Sequence, residues 1–371
     1  MTMTNFSLLT TEQKTVWSMD TWKAARNMSF INKFLGKSAN SMVHHITELT
    51  QSKKGARAVI TLLADMEGDG VAGDRQLEGN EEGLKSYDQV IRVDQLRNAA
   101  RHEGKMADQK SIINFREAAK DQLSYWLADR TDQLAFLTLA GLAYTTKPDG
   151  STRVISDLPQ LEYAADVSGA TSARRVRWDF GTLAVVTSAA TTDVVAADTP
   201  SYKMLVRLKA YAKNQYMRGV RSEGGEESYH VFMTPDGMAA LKLDPDYIAN
   251  LRYAQKRGED NGLFTGDVVK MDGLYLHEFR HVPNTSGATS GVGKFGVGLD
   301  VEGQYLLFCG AQALGFADIG TAEWNEKGFD YDNQQGIEVG KVTGMLKPKF
   351  NSMYSGNTVQ DFGVIVCYTA V

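Results

Sequence analysis

The chain has 371 residues, of which 43% are apolar and 23% charged; these proportions are typical of folded globular proteins and exclude a disordered or fibrous chain. Its 40 basic and 45 acidic residues give a net charge of −5, which excludes a generally basic nucleic-acid binder while leaving room for local basic surfaces. The two cysteines, Cys309 and Cys367, offer no disulfide framework, so we expect a reducing compartment.

The N-terminus carries no signal for secretion. Residues 1–6 lack a charged n-region, and the first basic residue is Lys14. Uncharged, apolar-leaning stretches such as 133–146 are shorter than the roughly 20 residues that a membrane-spanning helix needs. We therefore expect synthesis in the cytosol and no membrane partner.

Charge along the first hundred residues falls into two blocks of opposite sign. Residues 1–57 carry eight basic residues against three acidic ones, a net charge of +5. Residues 58–100 carry four basic residues against nine acidic ones, a net charge of −5. The basic residues ahead of position 40 are Lys14, Lys23, Arg26, Lys33 and Lys37.

The acidic block predicts a long two-stranded excursion. Residues 58–63 are rich in β-branched side chains and residues 87–94 alternate, so both are predicted strands. The segment between them holds five glycines, too many for a helix, and has too few apolar residues for a core of its own. An isolated two-stranded ribbon is marginal in water, so we expect this one to lie on another surface. The tip residues expected to make that contact are Val71, Leu77, Glu78, Glu81, Glu82 and Leu84.

The longest predicted helix begins at Met106. Apolar residues recur at spacings of three and four through good helix formers, and charged residues face away. If it continued to Gly141, this helix would be about 50 Å long at 1.5 Å per residue. Its Trp and Phe stripe is predicted to be core.

The remainder reads as a mixed α+β body. Residues 147–150 (KPDG) predict a turn. The predicted helices are 200–218 and 245–257, and the predicted strands are 184–187, 229–233, 305–309, 336–341 and 362–371.

Residues 277–281 (HEFRH) match the H-E-x-x-H zinc motif letter for letter. In a zinc hydrolase His277 and His281 share one helical face and hold the metal, while Glu278 acts as the base. Here residues 274–281 alternate and a proline follows, which predicts a strand in which positions four apart are separated by about 13 Å and cannot share one ion. The expectation is that the motif binds no metal.

Three other motifs are weak. Residues 291–296 (GVGKFG) fit a dinucleotide-binding glycine pattern but neither follow a strand nor open a helix, so we expect a mobile loop. Residues 65–70 (DMEGDG) begin like a calcium loop, but the later ligand positions are wrong. Residues 174–178 (RRVRW) suggest phosphate contact, or else a solvated strand face or an intersubunit ion pair.

The order of these blocks, a basic arm, an acidic two-stranded loop, a long helix and an α+β body, resembles the major capsid proteins of tailed double-stranded DNA phages. The resemblance is closest to the N4-type subfamily and covers most of the chain from about Arg57. The segments that carry it are 77–82 (LEGNEE), 94–97 (DQLR), 261–266 (NGLFTG), 273–283 (GLYLHEFRHVP), 310–314 (GAQAL), 324–326 (WNE), 329–332 (FDYD) and 361–365 (DFGVI).

The resemblance implies an α+β fold of the HK97 type. Its parts would be an N-terminal arm (1–54), an E-loop (55–105), the spine helix with the start of the P-domain (106–149), mainly A-domain (150–300), and closing strands of the two domains (301–371). It also implies no enzymatic activity, no cofactor and no catalytic or metal-binding residues.

As a capsid protein the chain would assemble into pentamers and hexamers of an icosahedral head enclosing double-stranded DNA. Its partners would be copies of itself, scaffolding, portal and decoration proteins, and the packaged DNA, contacted without base specificity. It would be made in the bacterial host cytoplasm and reside in the virion. Two alternatives stay open from the residues: a zinc hydrolase on the 277–281 motif, and a cation-dependent adhesion or decoration module.

Overall fold

Two β-sheets, connected by one long helix, organise the chain. The computed structural model describes residues 11–46, 57–63, 68–83, 86–110, 114–221, 225–254, 269–352 and 358–371. Helices and strands are mixed along the sequence, and the predicted α+β class is confirmed. Within the described residues, no helix is both long and apolar enough to cross a membrane.

Six α-helices lie in the described residues. They are α1 (Thr11–Met28), α2 (Lys105–Lys110), α3 (Phe115–Ala140), α4 (Tyr202–Asn214), α5 (Pro235–Leu243) and α6 (Pro245–Ala254).

The described strands include one long pair, Leu314–Phe329 and Gln334–Leu346, with 16 and 13 residues. In chain order the strands are β1 (Leu35–Gly36), β2 (Val43–Ile46), β3 (Arg57–Leu63), β4 (Ser86–Arg92), β5 (Asp94–Arg101), β6 (Arg175–Asp179), β7 (Ala184–Thr187), β8 (Val220–Arg221), β9 (Glu227–Met233), β10 (Val269–Met271), β11 (Leu274–Glu278), β12 (Gly303–Cys309), β13 (Leu314–Phe329), β14 (Gln334–Leu346), β15 (Lys349–Ser352), β16 (Thr358–Asp361) and β17 (Val364–Ala370).

The smaller sheet has five strands in the order β1-β2-β13-β14-β5. Its centre is the long antiparallel pair β13–β14, to which the N-terminal strand β2 adds in parallel and β5 adds on the other side. The larger sheet has the path β10-β11-β9-β12-β17-β6-β7, with β8 paired to β9. Its inner strands β12 and β17 are buried almost throughout, as expected for strands covered on both faces.

Helix α3 connects the two sheets and has clear signals at both ends. Asn114 has an extended backbone and its side chain accepts a hydrogen bond from the Arg116 amide, so it caps the first turn. Gly141 takes the left-handed conformation at φ 74°, where a Cβ would lie 2.3 Å from the Ser168 carbonyl oxygen. The 26 residues span about 39 Å at 1.5 Å per residue.

The predicted helix from Met106 is therefore wrong at its start and right at its end. Residues Lys105–Lys110 form the separate helix α2, and the extended Asn114 prevents one continuous helix. A strong N-cap residue inside an otherwise periodic segment is the physical cause of the interruption.

Strand β14 places different partners on its two faces. Ile337, Val339 and Met345 pack into clusters with helices α1 and α3. Val342 and Leu346, at even positions, pack against the β3–β4 hairpin. Because successive side chains on a strand point to opposite faces, β14 is held between the helices and the hairpin.

Glycine allows the hairpin to approach this sheet closely. A Cβ on Gly315 would lie 2.3 Å from Ile60 Cδ1, and one on Gly344 would lie 2.3 Å from the Arg92 carbonyl oxygen. Ile60 and Ile91 are buried in this contact, whereas their neighbours Val59 and Val90 are exposed on the outer face. The hairpin base is thus part of the subunit's own fold.

Most other predicted elements are confirmed. The hairpin strands, the 147–150 turn, helices α4 and α6, strands β7, β9, β12, β14 and β17, and the loop character of 291–296 all agree with the structure. The strand predicted over 274–281 ends at Glu278, because the chain turns before Pro283. The α-helices and strands of four or more residues that have no counterpart in the sequence prediction are α1, α5, β2, β5, β13, β15 and β16.

We predict that Gly344→Ala lowers the free energy of unfolding by about 1–3 kcal/mol, the usual cost of overpacking, because the new methyl group clashes with backbone. Gly169→Ala is the matched control, since no atom lies within 4 Å of the position of its Cβ. Denaturant unfolding of both variants measures the difference, and equal stability would show that the hairpin does not press against β14.

Candidate intersubunit surfaces

The N-terminal helix α1 is packed on its own subunit. Trp22 and Ala25 are buried against the first half of α3 and against Trp324 of β13. The Trp17 ring lies 5.5 Å from the Trp324 ring, measured between centroids. The basic arm therefore has an apolar inner face that a charge count does not reveal.

A buried lysine lies beneath α1. Lys341 is 1% exposed, its ammonium group lies 4.0 Å from the centre of the Trp22 ring, and it pairs with Asp318 and the Gly320 carbonyl. Burial lowers the pKa of Lys341, although the nearby Asp318 carboxylate opposes the shift. The register of β13 against β14 shifts between Ile319 and Glu323, the interval that contains the Gly320 carbonyl. Helix α1 thus covers a desolvated ion pair at an irregularity of the sheet.

The segment after α1 is held by a carboxylate of α3. Asp132, which is 3% exposed, accepts hydrogen bonds from the Ser29 hydroxyl and from the Phe30 and Ile31 amides at 2.7, 2.8 and 3.0 Å. Burial raises the pKa of Asp132 in spite of these donors. This contact fixes the exit of the N-terminal helix onto the spine helix.

Two aromatic residues of the same segment dock on the larger sheet. Phe30 stacks on Phe279 at 4.2 Å, and Phe34 makes edge contacts with His230 and His277 at 5.1 and 5.0 Å. The two imidazoles are hydrogen bonded, with His230 Nδ1 3.0 Å from His277 Nε2. Burial lowers the pKa of both histidines to about 4, and for His277 the neighbouring His230 and Lys33 add to the effect.

The basic side chains of the N-terminal segment face outward. Lys23, Arg26, Lys33 and Lys37 are all exposed, and the side chain of Lys14 lies outside the described part of the structure. Arg26 and Lys33 each lie over an aromatic ring of their own segment, at 5.9 and 5.2 Å. The outer face of an otherwise packed segment is therefore cationic.

The tip of the two-stranded loop is exposed and acidic. Residues 68–83 contain five acidic residues and one basic residue, a net charge of −4. Leu77 is 59% exposed and Val71 is half-buried, while Leu84 lies outside the described residues. Two of the predicted contact residues also shape the tip, because Glu82 accepts from the Gly68 amide and Glu81 from the Gly79 amide, both at 2.7 Å. Glu78 is exposed.

The geometry separates the members of the zinc-like motif. His277 is bonded to His230 within the sheet, whereas His281 lies in a turn and contacts Asp129 of α3 at 2.6 Å. Glu278 is exposed and lies 3.5 Å from Lys242. In the described ranges no cluster of three or more His, Cys, Asp or Glu side chains is arranged to hold a metal.

The expectation of a solvent-facing or phosphate-binding strand at 174–178 is corrected. Arg174 and Trp178 are fully buried, and burial lowers the pKa of Arg174 to about 10. Arg177 pairs within the chain with Asp198 at 3.1 Å and Asp179 at 3.2 Å. Within the strand, alternation buries Val176 and Trp178, while Arg175 and Arg177 lie on the half-buried face.

A strongly basic surface escaped the sequence analysis. Residues 202–221 carry six basic residues and no acidic residue, a denser positive charge than in the N-terminal block. They form α4, a turn and β8. A count in windows of about 20 residues, instead of over whole blocks, would have found it. Five of the six are exposed, and the complete set is Lys203, Arg207, Lys209, Lys213, Arg218 and Arg221.

A family model and a known protein both match nearly the whole chain. A family model described as phage capsid protein matches residues 5–371. The chain is 60% identical to the protein named major capsid protein of Pseudomonas phage KPP25 over 367 residues, which are 99% of this chain and 97% of that protein.

Solved phage capsid chains share the fold. The chain from the capsid of Ralstonia phage GP4 superimposes with a TM-score of 0.75 at 24% identity, covering 92% of this chain and 91% of that one. The chain from the Cyanophage Pam1 capsid gives 0.71 at 19% identity, with 99% of both chains covered.

We predict that the unassembled chain loses stability as pH falls from about 6.5 to about 4 because of the His230–His277 pair. A histidine whose pKa is lowered on folding stabilises the folded state only while neutral, so stability is full above the unfolded pKa and is lost as pH falls toward the folded one. Urea unfolding at pH 7, 6, 5 and 4 measures the slope.

The double variant His230→Phe, His277→Phe should show a flatter pH dependence over this interval, whatever its absolute stability. His44→Gln is the control, because His44 lies on β2 in the smaller sheet, away from this pair. An unchanged slope in the double variant would show that these imidazoles do not titrate in this range.

Proposed function

Because the chain belongs to the phage capsid protein family, we propose that copies of it assemble into the pentamers and hexamers of an icosahedral phage head that encloses double-stranded DNA. It is a major capsid protein with a structural, shell-forming role, and its place is the virion. The finer proposal rests on a contrast within the β3–β4 loop. The base of this loop is buried against the subunit's own sheet, whereas its tip, residues 68–83, is exposed and has a net charge of −4.

The exposed tip fits a role between subunits. Its few apolar side chains cannot form a core, so the order that it has depends on glycine turns and on carboxylates bonded to backbone amides. Heterologous contacts that close into rings need such extensions to connect one subunit to the next. We assign Val71, Leu77, Glu78, Glu81, Glu82 and Leu84 to this contact.

The N-terminal segment supplies the complementary charge. Its cationic outer face can meet an acidic neighbour or the phosphates of packaged DNA, in both cases without base specificity. We propose Lys14, Lys23, Arg26, Lys33 and Lys37 for this role. Scaffolding, portal and decoration proteins are further proposed partners, and the bacterial cytoplasm is the proposed site of synthesis.

The proposed division of the chain crosses the sheets, since residues 301–371 contribute β12 and β17 to the larger sheet and β13 and β14 to the smaller one. We assign 1–54 to the arm, 55–105 to the E-loop, 106–149 to the spine region, 150–300 mainly to the A-domain and 301–371 to closing strands. Strand β5 belongs to the five-stranded sheet, so the functional part of the E-loop is its β3–β4 hairpin and tip. No residue is proposed as catalytic, since the zinc-like motif has its histidines bonded to different partners.

Replacing residues 66–85 with an Asn-Gly turn should leave the melting temperature nearly unchanged and abolish stable shells. The turn joins the two flanking strands directly, and the removed tip contributes little to the core. Thermal unfolding and particle yield by electron microscopy are compared on the same preparation. If the shortened subunit is unfolded, the tip belongs to the core. If it still forms normal shells, the tip is not an intersubunit contact.

Assembly should slow as salt rises from 0.1 to 1 M, because the Debye length falls from about 10 to about 3 Å. The double reversal Glu81→Lys, Glu82→Lys should slow assembly similarly at low salt. The control is the double reversal Glu117→Lys, Asp121→Lys, which makes the same change of charge at two exposed positions of α3. Light scattering follows the rate, and indifference to both salt and tip reversal would contradict an electrostatic contact.

A further inference from the structure

We propose that the basic surface formed by α4 and the turn and strand after it, residues 202–221, binds the phosphate backbone of the packaged duplex DNA. This inference rests on the proposed function, which supplies the DNA, but it assigns the contact to the body of the subunit and not to the N-terminal segment. Six cations without one carboxylate in 20 residues stand out in a chain whose net charge is −5.

The chain's own acids leave part of this surface unneutralised. Lys203 pairs with Asp246 at 3.0 Å, and Lys209 pairs with Asp272 at 2.8 Å. Arg221 approaches Glu227 at 3.4 Å. Such exposed pairs are weak and exchange readily for another anion.

Two cations in the middle of the surface have no such partner. Arg207 and Lys213 are exposed on α4, and no described carboxylate forms an ion pair with either of them. Ala210 lies between them, one helical turn from each, so all three share one face. The apolar side of the helix is buried through Met204, Leu205, Leu208 and Ala212, which fixes this face outward.

The shape and composition of the surface favour DNA over an acidic protein. Charged protein contacts use both signs to set register, whereas the segment 202–221 itself carries one sign only. Its cations are spread over about 15 Å along α4 at 1.5 Å per residue, and they continue into the turn that follows. Long, mobile cationic side chains on a smooth helix suit a repeating row of phosphates that carries no sequence information.

The test is the salt dependence of duplex binding by the unassembled full-length chain. A random-sequence DNA duplex of 40 base pairs is titrated at several salt concentrations, and log K is plotted against log salt. Because each phosphate contact contributes a slope of about −0.9, Arg207→Gln with Lys213→Gln should reduce the slope by about 2. Their exposure predicts an unchanged melting temperature.

Two matched variants locate the effect. Lys105→Gln with Lys110→Gln removes the same charge from exposed positions of α2 and should leave the slope unchanged. Lys23→Gln with Arg26→Gln tests the N-terminal segment separately. A slope that the α4 variant does not change, or that the α2 variant changes equally, overturns the proposal.

Contact inside the particle is tested by placing a photo-crosslinking residue at the exposed position 210, as Ala210→p-benzoylphenylalanine, in DNA-filled heads. Crosslinks to DNA support the proposal, whereas crosslinks to protein alone assign the surface to an acidic partner and overturn it. If the chain forms no shell, that result contradicts the proposed function. The duplex titration then still tests whether the α4 surface binds DNA.

Discussion

The subunit depends on strand β14 being covered on both faces. On one face the sheet receives α1 and α3 through large side chains, and on the other it receives the β3–β4 hairpin at glycine positions that allow backbone contact. The alternation of a single strand therefore fixes the relative placement of arm, spine and loop. A one-residue slip of β14 would exchange these faces and expose both contacts.

Charge buried at this sheet is compatible with stability because each group is paired. Lys341 meets Asp318 and a carbonyl under the Trp22 ring, and Asp132 collects three donors at the end of the N-terminal helix. Removing one partner of such a pair is costly, since the other is left desolvated. The outward cations of the arm are then free to serve contacts beyond the subunit while its inner face stays fixed.

The sequence predicted the hairpin, the end of the spine helix and most strands of the larger sheet, because β-branched runs and a glycine cap are strong local signals. It did not predict β13, since a register shift between Ile319 and Glu323 breaks the alternation and the strand is rich in small and acidic residues. The burial of Arg174 depends on residues such as Gln215 and Asp361, and the packing of α1 depends on Leu123 and Trp324; these partners are far away in sequence, and no local pattern encodes them. The acidic tip was foreseen from composition, whereas the α4 surface was missed by averaging charge over long blocks.

The parallel pairing of β2 with β13 also determines how late in synthesis the subunit can fold. Val43 pairs with Leu314, so β2 and the adjoining β1 cannot join the sheet until the ribosome has made most of the chain. At about 5–20 residues per second this interval lasts tens of seconds, and contacts of such sequence separation form late in folding. A chain truncated before residue 314 lacks strands β13 and β14 and, with them, part of the surface against which α1 packs. Such a chain cannot form the folded surfaces that contacts in a shell require. The topology thereby makes both sheets depend on strands that are synthesised after residue 300.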